Sequence, residues 1–557
     1  MTSLRKLALW IVLGITALPA GAADAPNKAA VASAHPLATE AGMEILAAGG
    51  NAFDAAVAVS AALSVVEGYS SGIGGGGFWL LHRAADGFEV MVDGREVAPA
   101  AATRDMYLDE NGAAIERLSK DGVLAAGIPG VPAGLEHISR HYGELPLAES
   151  LAPAIRLARD GFPLDARMQR GLKFKRDLLA RFRGSAEIFL LDGKVPPLGH
   201  IIRQPGLAMT LERIASEGAD GFYRGPVAEA LVRGVRSEGG MWSMEDLAGY
   251  AARERPPVVL DYQGVRIVAA SLPSAGGVAL ANIFNILAGY RFADMDRVTR
   301  VHLLTEAMRR AYRDRAQYLG DPDFVAAPVA QLVHPFYAAG QRATIRLDRA
   351  TPSATLPPAY RQSEAEDTSH FSVLDPAGNR VAGTQSINGW FGSGYVEPET
   401  GVMLNNEMDD FSVKPGEPNL FQLVGAEANE VAPGKRMLSS MTPTFLESDR
   451  GVAILGTPGG SRIISMVLLA SLAWIDGADA AGMVALPRFH HQYLPDQLVH
   501  EKGALDAAEI DALKAMGHSL KESSRLYGNM QVVTWDRGTG EVHAASDPRG
   551  QGESRIY

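Results

Sequence analysis

The 557-residue chain contains no cysteine. That absence removes disulfides, thiolate zinc sites and a cysteine nucleophile from consideration. It leaves the redox compartment open. A basic excess is missing too: 52 Lys and Arg stand against 64 Asp and Glu, for a net charge of −12. With no basic run and no zinc-finger spacing, the chain does not read as a nucleic-acid binder. No repeat of fixed period is present. Beyond the N-terminus no window approaches the ~18 uninterrupted apolar residues of a spanning helix. Apolar material is nevertheless plentiful. At 47% hydrophobic and 21% charged residues, the chain supports a large core and disorder is not expected.

The N-terminus carries an export pattern. Arg5 and Lys6 precede the apolar run LALWIVLGITALPAG, and Ala20-Gly21-Ala22 follows with A-x-A spacing. The pattern predicts a signal peptide over 1–22, cleaved after Ala22, and a periplasmic or secreted product. Gly14 and Pro19 interrupt the run and count against a retained anchor, so no stable membrane span is expected after cleavage.

Residues 40–66 are Ala-rich with helical periodicity, broken at Gly49-Gly50. SSGIGGGGFWLLHR then passes from a Gly-rich loop into a strand. Gly72 to Phe78 tempts as a dinucleotide fingerprint, but it precedes a strand, whereas that fingerprint follows one; it reads as a tight structural segment. Helical stretches alternate with short apolar runs over 130–315. The polar, Pro-containing segment 340–367 reads as a linker. After it, short strands are expected at 370–375, 380–388, 401–405, 442–447, 451–456 and 530–535, with a helix at 461–475. Strands grouped with helices outside them point to a layered α/β sandwich.

EAEDTSHFSVLDPAGNRVAGTQSIN (364–388) reads as a hairpin around Asp375-Pro376-Ala377-Gly378-Asn379. Centring the turn on Ala377 sets Thr368 opposite Ser386, with a slip of one residue open if Gly378 forms a bulge. Alternation puts Thr368, His370, Ser372, Thr384, Ser386 and Asn388 on one face and Phe371 and Val373 on the other. A solvent-exposed polar face is the simplest expectation. The alternative is catalytic: a threonine hydroxyl needs a base. His370 is one candidate. The other is an α-amine on Thr368 itself, created if the chain is cut before that residue.

Several ordered blocks carry a wider resemblance: GNAFDAAVAVSAAL, SGIGGGGF, DGREVAPAAATRDMY, EAMRRAYRDRAQYLGDPDF, DTSHFSVLD, LNNEMDDFS, KRMLSSMTPT, GTPGGSRII, PRFHHQYLPD and ASDPR. Over roughly 28–557 the chain resembles the γ-glutamyltransferases (glutathione hydrolases) of the N-terminal nucleophile hydrolase superfamily. The resemblance implies a four-layer αββα sandwich built jointly by two subunits cut from one precursor between Asp367 and Thr368. The subunits would be 23–367, with 345 residues, and 368–557, with 190. They would stay together as one compact domain.

The resemblance makes Thr368 both the autoprocessing group and the nucleophile, with Ser386 orienting it. It assigns Arg95, Ser439 and Ser440 to a substrate α-carboxylate, and a planar guanidinium suits that bidentate task. Asn388, Glu407 and Asp410 would surround an α-ammonium. Gly459 and Gly460, after a strand and before a helix, would supply oxyanion donors. The donors would be glutathione and other γ-glutamyl compounds, and the acceptors water, amino acids or peptides. No cofactor or metal is implied, since adjacent His490 and His491 on a strand would face opposite ways. Two departures stand out: Ser386 replaces the usual threonine, and Phe421, in a segment like the lid loop of some bacterial members, replaces a tyrosine. Two other readings remain: a glutaryl or cephalosporin acylase of the same family, and an exported, non-catalytic binding protein that never matures.

Overall fold

A computed structural model describes residues 25–356, 368–414, 419–420 and 423–557. The signal-peptide residues 1–22, Asp367 of the expected cut and Phe421 lie outside the described residues. Two sheets of antiparallel neighbours dominate. The first runs in the order Glu553–Ile556, Ala30–Ser33, Ser369–Leu374, Arg380–Ser386, Gly76–Arg83, Phe88–Gly94, Arg253–Arg255. The second runs Val542–Ser546, Gln531–Asp536, Gly451–Gly456, Thr444–Ser448, Val265–Ala269, Val258–Tyr262. The sheets pack face to face. Helices Pro36–Ala47 and Ala52–Val66 cover the first, and Gly276–Leu287 and Ile463–Ile475 cover the second, with Arg297–Tyr318 against Gly276–Leu287.

The hairpin closes as its turn chemistry dictates. Asp375 Oδ1 accepts the N–H groups of Ala377 and Asn379, which ties the turn. Gly378, at φ 90°, takes the left-handed position that a Cβ disfavours. Leu374 then faces Arg380 and His370 faces Thr384, the pairing expected for a turn centred on Ala377. Asp375 Oδ2 also accepts from Ala52 N at 2.9 Å, fastening the turn to the start of helix Ala52–Val66. That helix carries a reciprocal cap between Asn51 and Asp54 and is buried along its whole length. Phe371 and Val373 face it.

The polar face of the hairpin is not solvent-exposed. It is pressed against the second sheet, where Ser372 Oγ lies 3.2 Å from Ile454 O and 3.1 Å from Gln531 O. A buried hydroxyl with partners of this kind is affordable, whereas an unpaired one is not. Residues 401–405 do not form the expected strand. Asn405 explains why: its side chain accepts from Gly127 N and donates to Gly74 O and Gly127 O, tying the segment to two loops. The linker is also more ordered than its composition indicates. Its start belongs to helix Pro335–Arg342, and the N–H groups of Thr351 and Ser353 dock on Glu306 and Asp496. Among the described residues no helix is long and apolar enough to cross a membrane.

Candidate active site

Thr368 immediately precedes the central strand Ser369–Leu374 and is 4% exposed. Its Oγ1 stands 3.4 Å from Ser386 Oγ, at the end of the partner strand. Ser386 Oγ also accepts from Asn388 N at 2.8 Å and lines the cleft together with Glu407. The hydroxyl opposite the threonine is therefore held by the same groups that build the rest of the site. The chain is also pinned just after Thr368. Ser369 Oγ donates at 2.5 Å to buried Glu67, which also accepts from Tyr69 OH. A Cβ on Gly75 would lie 2.1 Å from Ser386 O, so only glycine lets the SGIGGGGF segment pass so close.

His370 turns away from the threonine. Its Nδ1 meets Thr384 Oγ1 at 2.8 Å and its Nε2 meets Ser372 Oγ at 3.3 Å. Full burial pushes its pKa down to about 3, which makes it a poor proton acceptor. His370→Ala is expected to strand buried hydroxyls and lower unfolding free energy by ~1–3 kcal/mol, measured by urea denaturation. The near-neutral limb of a kcat/KM pH profile should keep its midpoint; a shifted limb would restore His370 as the base.

Thr368 opens on a small, tight cleft, and most of the anticipated residues line it. Arg95, Ser386, Asn388, Glu407, Asp410, Ser439, Ser440 and Gly460 all do so, with Leu423, Met441 and Ile463 as apolar wall. Arg95 is buried beside the acids rather than alone. Its Nη1 is 2.6 Å from Glu407 Oε2, its Nη2 is 2.5 Å from Asp410 Oδ2, and its Nε donates to Met437 O. The acids come from the single turn Glu407–Asp410, whose first N–H donates to Asn405 Oδ1. Asn388 sits at φ 73°, in the left-handed region. Its Nδ2 donates to Asn406 O, and its buried Oδ1 has no hydrogen-bond partner among the described residues. Ser439 Oγ accepts from Met441 N, which leaves its own proton for a ligand.

Two members of this cluster escaped the sequence reading. Glu96 is fully buried, 3.5 Å from Arg95 Nη1. Arg315 is buried too, donates to Ser440 Oγ at 3.2 Å and acts electrostatically on Asp410. The signal for Arg315 was weak because Arg297–Tyr318 is buried around most of its circumference, so periodicity marks no inward face. Glu407 and Asp410 therefore line the cleft with Arg95, while Glu96 and Arg315 stand behind that wall. Burial outweighs the arginines and raises all three acids: Glu96 to about 7, Glu407 well above its ordinary value, and Asp410 upward. Burial also pulls Arg315 down to about 10. With all three acids ionised, the cluster would be short of one positive charge. The unpartnered oxygen of Asn388 adds an acceptor, so the cleft is built to receive a cation next to an anion.

Strand Gly451–Gly456 leads through Thr457 and Pro458 to Gly459 at φ 140° and Gly460 at φ 54°, just before helix Ile463–Ile475. Gly460 lines the cleft, and Gly459 stands directly before it. Neither N–H donates to a protein acceptor among the described residues. Elsewhere, His490 and His491 are buried neutral groups, bonded to Ser465 and Gln492 and to Asp496 respectively, with pKa values lowered to about 3 and 4 by burial.

A family model described as gamma-glutamyltranspeptidase matches residues 38–557. The glutathione hydrolase proenzyme of Escherichia coli K12 is 42% identical over 529 residues, covering 93% of this chain and 90% of that protein. Among solved structures, cephalosporin acylase from Bacillus halodurans superposes with a TM-score of 0.83 at 27% identity, over 98% of this chain and 99% of that one. The Helicobacter pylori gamma-glutamyltranspeptidase structure matches with a TM-score of 0.57 at 40% identity, over 62% of this chain and 97% of that one.

Proposed function

This chain belongs to the gamma-glutamyltranspeptidase family of enzymes, and on that premise we propose that it cleaves γ-glutamyl amides such as glutathione through an N-terminal Thr368 made by self-cutting. One observation carries the reading: Thr368 and Ser386 line the same small cleft as a buried arginine flanked by an excess of carboxylates. That pairing fits an α-amino acid head group, with the carboxylate on Arg95, Ser439 and Ser440. The ammonium goes to Asn388 Oδ1, Glu407 and Asp410. The γ-carbonyl is then presented to Thr368.

The maturing cut falls between Asp367 and Thr368 and yields subunits 23–367 and 368–557. The H. pylori chain supports this split, because it spans 62% of the present chain, the share that 345 of 557 residues represent. In turnover the Thr368 hydroxyl oxygen attacks the γ-carbonyl carbon, and its proton passes to the α-amine of the same residue, a group with an ordinary pKa of ~7.7–8.0. The N–H groups of Gly459 and Gly460 hold the oxyanion. The C–N bond then breaks, the leaving amine takes the proton, and a γ-glutamyl ester remains on Thr368. Water, or an amino acid or peptide amine, completes the cycle.

A single intact-mass measurement tests maturation: two fragments, one starting at Thr368, are expected, and one uncut chain would leave only a binding protein. The acylase reading draws on the cephalosporin acylase fold match. A glutaryl group lacks the α-ammonium and would leave the carboxylate excess uncompensated. Faster hydrolysis of a glutaryl anilide than of its γ-glutamyl analogue would transfer the assignment to an acylase.

The raised carboxylates give a pH prediction with a definite sign. A carboxylate raised on folding contributes stability that is full below its unfolded pKa and lost as pH rises through the folded one. For Glu96 that window closes near pH 7. Glu96 repels Glu407 and Asp410, so a ligand ammonium held by those two displaces the proton that the three acids compete to lose. L-glutamate should therefore bind more tightly as pH climbs from about 6 to about 8, with proton release visible by calorimetry in buffers of different ionisation enthalpy. Binding that weakens over this range would contradict the ammonium assignment.

A further inference from the structure

A second cavity lies beside the cleft, and nothing in the chemistry above uses it. It has a volume of about 690 Å³ and borders the cleft across two pairs of neighbouring residues. Asn388 and Glu407 line the cleft, while Gly389 and Asn406, adjacent to them in the chain, line the groove. Gly389 N donates to Asn406 Oδ1 at 2.9 Å, and Asn406 Nδ2 donates to Lys120 O at 2.8 Å. Ser119 Oγ donates to Asp409 at 2.6 Å, so the basic segment around Lys120 hangs directly from the turn that carries the site acids.

The charge of the groove opposes that of the whole molecule. Six basic side chains and two acidic ones line it, in a chain of net charge −12. Both acids are already committed, Asp121 to Arg117 and Asp177 to Arg176. Lys120, Arg170 and Lys175 have no ion-pair partner among the described residues. Lys175 is half-buried, and both burial and the neighbouring Arg117 and Lys120 oppose its charge. Such a group gains from an anion. Helix Ala166–Leu179 presents Arg170 and Phe174 one turn apart, and Phe174 is 77% exposed. Gly171 seats this helix on Trp390, where a Cβ would lie 2.2 Å from the indole ring.

We propose that this groove receives the part of the substrate beyond the γ-glutamyl group, and that it selects leaving or accepting peptides bearing several carboxylates. The inference rests on the γ-glutamyl reading above. An extended anionic peptide meets free cations along the groove and an apolar patch at Phe174. An uncharged leaving group can meet the apolar patch but gives the cations no partner. The chemistry of the cut is unchanged; only the affinity of its departing half differs.

The test uses the mature enzyme and three donors: γ-glutamyl anilide, γ-glutamyl-alanine and γ-glutamyl-glutamyl-glutamate. The tripeptide is expected to exceed γ-glutamyl-alanine in kcat/KM by about tenfold at low salt, with the advantage largely gone at about 500 mM NaCl. In the Lys120→Gln, Arg170→Gln, Lys175→Gln triple variant the ratio of tripeptide to anilide kcat/KM should fall by about the same factor. Lys120→Gln alone, and the salt series on the unaltered protein, serve if the triple variant fails to fold. Anilide turnover with equal rates for both peptides at every salt would overturn the groove while leaving the γ-glutamyl reading intact. Absence of anilide turnover would overturn both. Binding of a short oligonucleotide with no peptide preference would also overturn the proposal and assign the groove to nucleic acid.

Discussion

Thr368→Ala is expected to leave one uncut chain and to lower γ-glutamyl anilide turnover by ~10⁴-fold or more, the scale seen when a covalent nucleophile is removed. Both losses follow from one atom. Thr368 Oγ1 faces Ser386 at the mouth of the cleft, and no other hydroxyl lines it on the hairpin side except Ser386 itself. Denaturing gel electrophoresis reads the cut and an anilide assay reads the turnover. Thr368→Ser, which keeps the hydroxyl, should cut and turn over, more slowly because the rotamer restraint of the β-branch is lost. Full self-cutting by the alanine variant would mean that another group performs the step.

Arg95→Leu is expected to be the most damaging substitution away from the nucleophile. It removes the centre of a buried cluster in which Arg95 touches Glu407 and Asp410 directly and Glu96 more distantly. Breaking a buried ion pair from one side costs ~3–5 kcal/mol, because the remaining charges are left without compensation. Part of that cost is relieved by protonation, since these acids are already raised. The melting temperature should therefore drop least at low pH. Activity should be lost at every pH. Arg95→Lys tests geometry separately from charge: a point charge cannot pair with a carboxylate in the planar, two-pronged manner of guanidinium, so most of the stability but little of the activity should return. Activity of Arg95→Leu near that of the parent would remove Arg95 from substrate binding.

Much of this was legible in the chain. The turn Asp375–Asn379 set the register of the hairpin through side-chain acceptors that act locally, and local chemistry is what sequence displays. The NNEMDD segment reaches the cleft with Glu407 and Asp410, and the glycines of SGIGGGGF pass close against Ser386. What sequence concealed was relational. The polar face of the hairpin read as exposed because alternation cannot tell water from a second sheet whose carbonyls satisfy the hydroxyls. Asn405 defeated the strand expected at 401–405 by bonding to loops some 280 and 330 residues away in sequence. Glu96 and Arg315 were invisible as site residues because their significance is an electrostatic balance among five side chains from three segments.

The strand order of the first sheet has a mechanical consequence. Ala30–Ser33 lies between Glu553–Ile556 and Ser369–Leu374, while Arg380–Ser386 lies against Gly76–Arg83. A cut before Thr368 would thus separate two polypeptides that are dovetailed, each inserted between strands of the other. The second sheet adds a single seam, where Thr444–Ser448 borders Val265–Ala269. Parting the fragments would mean tearing both sheets at several seams, so dissociation and global unfolding become one event. Hydrolysis of the peptide bond then frees a terminus for chemistry without loosening the body that holds it.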